Sequence, residues 1–187
     1  MEITTYSVQG FYSAAYGARL SYGGTSLAKL DSSYETDTLG YKDCKLLSGL
    51  VQRGDSHGKA IRLVEVKVRL VGNDRFCNQL DTYKVDTVRC SSSTMHTILK
   101  RPLTQDDFST PLPEFYIEYL NTLRANKDFK TLVDSLPMGY LYTSVYKFNY
   151  QTLRRIYLDR KGHRYDYWLE FLSWVDTLPW SKELITV

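Results

Sequence analysis

Residues 64–70 read Val64-Glu65-Val66-Lys67-Val68-Arg69-Leu70. Aliphatic and charged residues alternate there, and a period of two is the signature of a strand with one buried face. Helical patterns lie on both sides of it. Upstream, Asp43 to Gly54 sets Leu46, Leu47, Leu50 and Val51 on one helical face, with Gly54 placed to end the helix. Earlier still, residues 11–22 mix small residues with aromatics and predict a helix packed closely on a neighbour, while the Gly-, Ser-, Thr- and Asp-rich residues 23–42 predict a loop. Downstream, Asn73 or Asp74 is placed to cap a helix carrying Phe76, Leu80 and Tyr83. The hydroxyl run Ser91-Ser92-Ser93-Thr94 then suits no helix interior.

The last third is richer in helix. Pro113 precedes Tyr116, Leu120 and Leu123 at helical spacing, where proline suits a first turn. Leu136-Pro137-Met138-Gly139 breaks the chain, and the aromatic residues 140–148 fit a strand or a buried helix equally well. Leu153, Ile156 and Tyr157 predict a helix interrupted at Gly162; Tyr165, Trp168, Leu169, Leu172 and Val175 predict another, ending before Leu178-Pro179-Trp180. Central strands with many helices make an α+β pattern.

The 187 residues hold 43% hydrophobic and 24% charged side chains, enough apolar material for one domain spanning 1–187 with a sizeable core. No apolar run reaches the roughly 18 residues of a membrane span, and the N-terminus lacks the layout of a signal peptide. Cys44, Cys77 and Cys90 are widely separated, which argues against a disulfide framework and a zinc site and for a reducing, cytoplasmic setting. The net charge is only +3, but residues 1–40 sum to −2, 41–104 to +6 and 105–187 to −1. That basic centre suits an anionic ligand, while a pI near 8.6 falls short of the footprint expected of a nucleic-acid binder. The 16 tyrosines, against 7 phenylalanines, favour half-buried clefts and interfaces.

No GxSxG, HExxH, Walker A or GxGxxG pattern occurs. His57, His96 and His163 are badly spaced for a metal, so no metal ligands and no catalytic side chain are assigned. Cys77 and Cys90 are nucleophile candidates only in principle, since small buried cysteines are common. Asp81 and Asp86 could pair as acid and base, although carboxylates beside Lys84 and Arg89 read more simply as surface partners. A more coherent set is hydroxyl, amide and cation. Gln79 and Ser91 to Ser93 can hydrogen-bond a base or phosphate, Arg160 can grip an anion, and His57 sits in a Gly-flanked turn before the strand. Together they suit an anionic small molecule such as a nucleotide.

At these residues the sequence resembles the flavin-dependent thymidylate synthases, from about Ala18 to Trp180. Ala18-Arg19-Leu20-Ser21 looks like the family's Ala-Arg-Val-Ser segment, and Asn78-Gln79-Leu80 like its His-Gln-Leu triplet. The family signature is Arg-His-Arg, seven residues, then Ser; here Thr82-Tyr83-Lys84 is followed at that spacing by Ser92. Leu136-Pro137, Asn149, Leu153 and Arg160 follow in family order. Family arginines are replaced by Thr94, Val133 and Gln151, and Tyr165 and Tyr167 fall in an altered ending.

The resemblance implies a central, mainly antiparallel sheet flanked by helices, and a homotetramer binding FAD between subunits. It implies reductive methylation at C5 of a pyrimidine nucleotide, dUMP or a variant, with methylenetetrahydrofolate and NADPH as co-substrates. It places Gln79, Ser92 and Arg160 at the nucleotide, and Ser21, His57, Lys84 and Asn149 near flavin or folate. Each residue has a plainer reading, Ser21 as a helix cap and Asn149 as a buried hydrogen-bond partner among them. A short, divergent form suits a viral genome, and the cytoplasm is then the host's. The competing expectations are a non-catalytic homologue that binds a protein partner through tyrosine-rich faces and, third, a single-strand binder using Arg154 to Arg164.

Overall fold

The computed structural model describes residues 1–187. Its elements run β1 (Glu2–Gln9), α1 (Phe11–Leu20), α2 (Gly24–Leu27), α3 (Tyr41–Gln52), a 3-10 helix (Gly58–Leu63), β2 (Glu65–Asn73), α4 (Asp74–Leu80), β3 (Val88–Ser91) and α5 (Thr94–Thr97). A second 3-10 helix (Gln105–Asp107), α6 (Glu114–Ala125), α7 (Phe129–Asp134), β4 (Leu141–Asn149), α8 (Tyr150–Arg160), α9 (Asp166–Asp176) and α10 (Ser181–Leu184) complete the chain.

The four strands form one sheet of order β1-β2-β4-β3, antiparallel throughout. Register explains why the alternating stretch dominates. Val66 faces Phe148, Val68 faces Tyr146 and Leu70 faces Ser144, all fully buried, so one face of the sheet is core. The other face carries Glu65, Lys67 and Arg69, with Lys147 bound to Glu65 (3.3 Å) and Asp86 (2.5 Å) so that it tolerates Lys67 opposite. Residues 140–148 are thus mostly strand. The pairing with β2, which an aromatic run does not announce, decides it.

Helices α1, α3, α8 and α9 supply Ala14, Ala15, Leu47, Val51, Leu153, Ile156, Trp168 and Phe171 to the same core. A smaller cluster of Ile98, Leu103, Phe108, Leu120 and Leu132 lies under α6 and α7. The small residues of α1 allow its approach to the 3-10 helix, and Gly10 (φ +102°) makes the turn between β1 and α1, where a Cβ would lie 1.9 Å from the Leu63 carbonyl oxygen. No helix is long and apolar enough to cross a membrane.

Most local expectations hold. Gly54 (φ +103°) follows the end of α3, and Asn73 caps α4 by accepting from Phe76 N–H at 3.0 Å. Three readings need correction. Tyr83 lies beyond α4, which stops at Leu80; Leu169 is 45% exposed and outside the buried stripe of α9; and the loop 23–42 contains the short α2. β1 and β3 were not anticipated. A register shift between Thr5 and Ser7 breaks the alternation of β1, and β3 has only four residues.

Candidate functional site

Two groups of polar side chains stand out. The first is built around Trp168, fully buried on α9. Its indole N–H donates to Gln79 Oε1 at 2.8 Å, fixing the amide at the end of α4. The Arg160 guanidinium lies over the indole, 4.5 Å from the ring centroid, and 5.5 Å from that of Tyr83. Arg160 Nε donates to the Tyr83 hydroxyl at 3.0 Å. Burial pushes the Tyr83 phenol above its ordinary range, against the opposing pull of Arg160. The fold therefore brings Gln79 and Arg160 together through an aromatic residue that the sequence reading assigned only to the core. Tyr165 and Tyr167 continue this aromatic wall: their rings stack at 5.4 Å, and Tyr165 exchanges hydrogen bonds with Asn73.

Lys84 is exposed beside Tyr83, on a cavity of about 330 Å³ shared with Thr82, Thr152 and Arg155. Asn149 lies behind it and is fully buried. Its Oδ1 accepts from Thr152 N–H at 2.8 Å, capping α8, and its Nδ2 reaches Val85 O (3.5 Å) and Asp86 Oδ2 (3.3 Å). It lines neither this cavity nor the larger one below, and its visible work is to hold the segment after Lys84. Ser92 stands apart, exposed at the end of β3, where Ser92 and Thr143 exchange hydrogen bonds at 2.8 and 3.3 Å. Asp81 and Asp86 are not an acid–base pair, since Asp81 binds Arg89 at 2.6 Å and Asp86 binds Lys147.

The second group lines a cavity of about 590 Å³ between α1, the end of α3 and the first 3-10 helix. Here the fold unites Ser21, at the end of α1, with His57, at the start of the 3-10 helix. It also adds Lys59 and Arg62, which sequence reasoning missed. A 3-10 helix repeats every three residues, so positions 59 and 62 share one face; the spacing was visible, the helix type was not. Arg62 Nε donates to Gln151 Oε1, and Gln151 Nε2 donates to Asp55 O at 2.9 Å. Gln151 is 7% exposed. For FAD the donor set fits: an apolar floor of Leu50 and Ala60, hydroxyls from Ser21 and Ser56, and two cations suit a flat ring system with phosphates.

Burial and Glu183 push the Cys44 thiol up to about 11, and burial raises Cys77. Only Cys90 is exposed. Maleimide at neutral pH is expected to label Cys90 alone in the folded protein and all three cysteines after denaturation, read by intact mass.

No family model matches the sequence, and none of the curated proteins does. Among solved structures, thymidylate synthase X (ThyX) from Helicobacter pylori with FAD and dUMP matches at TM-score 0.77 and 15% identity, over 100% of this chain and 98% of that one. A second structure of that enzyme complexed with FAD and dUMP gives 0.74, also at 15% identity and with the same coverage. A UMP/dUMP methylase, PolB from Streptomyces cacaoi bound with 5-Br dUMP, gives 0.68 at 13%, over 99% and 94%. The chain has the α+β fold of flavin-dependent thymidylate synthases.

Proposed function

We propose that this protein is a flavin-dependent enzyme that methylates a pyrimidine nucleotide at C5, with dUMP or a close variant as substrate. The observation that carries this reading is the end-to-end likeness of fold to a protein solved with FAD and dUMP. FAD, when bound, supplies the redox chemistry, with methylenetetrahydrofolate as carbon donor and NADPH as reductant. The protein supplies position and charge. Arg160 is held over the Trp168 indole and tethered to the Tyr83 hydroxyl through Nε, leaving its remaining N–H groups for a nucleotide phosphate. Gln79 is oriented by Trp168 and keeps its amide N–H groups for a base. Ser92, apart from this group at the end of β3, is assigned to the nucleotide by the resemblance alone. Ser21 and His57 serve flavin or folate from the larger cavity, Lys84 from the smaller, and Asn149 acts through the segment that it holds. A homotetramer belongs to the same proposal.

The purified protein should be yellow, or should take up FAD. FAD at about a hundred times its Kd would add about 2.7 kcal/mol, several degrees of melting temperature. A colourless protein with no thermal shift in FAD counts against the reading. One observation favours a second, non-catalytic reading as an assembly subunit: Tyr34, Tyr41 and Phe115 are 70–78% exposed. That reading predicts a stable oligomer or a bound protein partner without flavin, tested by light scattering and co-purification.

A further inference from the structure

The larger cavity contains an arginine held in a fixed place. The Arg62 guanidinium has one hydrogen-bond partner in the chain, Gln151, through Nε. Gln151 is itself buried and anchored to the Asp55 carbonyl, so the amide acts as a rigid bracket. Nη1 and Nη2 have no protein partner, and the residue lines the cavity. Lys59 lies one 3-10 turn away on the same wall, His57 adjoins it, and no carboxylate side chain lines the cavity. A guanidinium tethered by Nε with both terminal nitrogens available is suited to bidentate binding of an oxyanion. Tyr22, Leu50 and Leu63 add apolar surface for the rest of the molecule.

We propose that Arg62 is the anion-gripping residue of this cavity, that Gln151 is its positioning residue, and that the group taken is a phosphate joined to a flat aromatic ring system. The proposal rests on the flavin reading to the extent that FAD is such a molecule. Position 151 is also where the resembled motif has arginine; here the guanidinium comes from position 62, and the residue at 151 holds it.

The test compares FAD, riboflavin (the same ring without phosphate) and inorganic pyrophosphate by titration calorimetry. The variants are Arg62→Ala, Arg62→Lys, Lys59→Ala and Gln151→Ala, with Lys130→Ala on the exposed α7 pair as control. Losing a charge-assisted clamp should weaken FAD and pyrophosphate about 10- to 100-fold in Arg62→Ala. Arg62→Lys should recover part of that loss, and Gln151→Ala and Lys59→Ala should fall between. Riboflavin affinity should stay constant across the Arg62 and Lys59 variants. The melting temperature should hold in Lys59→Ala and fall modestly in Arg62→Ala, where the buried Gln151 Oε1 loses its donor. Arg62→Ala binding FAD and pyrophosphate as wild type does would overturn the proposal, as would an equal loss of riboflavin. Pyrophosphate binding that depends on Arg62, with no FAD binding, would sink the flavin reading and leave the clamp standing. Wild-type protein that binds none of the three probes overturns the clamp as well.

Discussion

Asp43→Asn should destabilise the fold by about 3–5 kcal/mol, the cost of leaving a buried charge without its partner. Asp43 is 0% exposed and Arg19 6%, and the two form an ion pair joining α3 to α1. The second carboxylate oxygen accepts from Asp31 N–H (3.0 Å), Ser32 N–H (2.8 Å) and the Ser32 hydroxyl (2.5 Å). Arg19 also donates to Ser26 O at 3.1 Å, so one pair organises most of the loop between the helices. Asparagine would point an N–H₂ group at donors. Burial acts to raise the Asp43 pKa, but the Ser32 hydroxyl, the Arg19 guanidinium and the Asp31 backbone together hold it below the usual carboxylate range. A depressed folded value means that the stabilisation is complete above the unfolded pKa of about 4 and is lost as pH falls through the folded value. Denaturant unfolding at neutral pH should show the deficit. Melting curves below about pH 4 should show the wild type losing stability more steeply than the variant. A midpoint unchanged in Asp43→Asn would contradict this account.

Trp168→Ala should cost about 3–5 kcal/mol, as expected for truncating a large buried aromatic. The indole packs on Phe76 at 4.8 Å and Phe171 at 5.9 Å, under the Arg160 guanidinium. At roughly 2–4 °C per kcal/mol for a chain of this size, the melting temperature should fall by about 10 °C. The loss should also free Gln79 and Arg160 together. Trp168→Phe separates the two consequences, since it fills most of the volume and lacks the N–H that binds Gln79. It should fold with a smaller deficit of about 1–2 kcal/mol and bind dUMP less tightly than wild type. Unchanged dUMP affinity in a folded Trp168→Phe protein would remove the indole from the nucleotide site.

Local features were legible where a side-chain period or a cap carries the signal. β2, α3, the Asn73 cap and the Pro113 start of α6 are all of this kind. β1 was hidden because Thr4, Thr5 and Tyr6 are all exposed around a register shift, leaving no alternation to read. The candidate site was half legible. Gln79, Arg160, Ser21 and His57 could be named from residue type and order. Trp168, Lys59 and Arg62 could not, because their significance lies in what they meet.

By itself the sequence determined that a half-buried strand lies among amphipathic helices in an α+β domain, since period and burial are properties of neighbouring residues. It also determined that tyrosine stands where the resembled family has histidine. Only the tertiary structure decided what that tyrosine does. Tyr83 and Arg160, 77 residues apart, meet beside Trp168 although the antiparallel β2 and β4 start α4 and α8 at opposite ends of the sheet. The contact depends on long-range packing, and no local pattern encodes it. The same reason holds for Arg62 and Gln151, 89 residues apart, whose meeting turns a surface arginine into a fixed one.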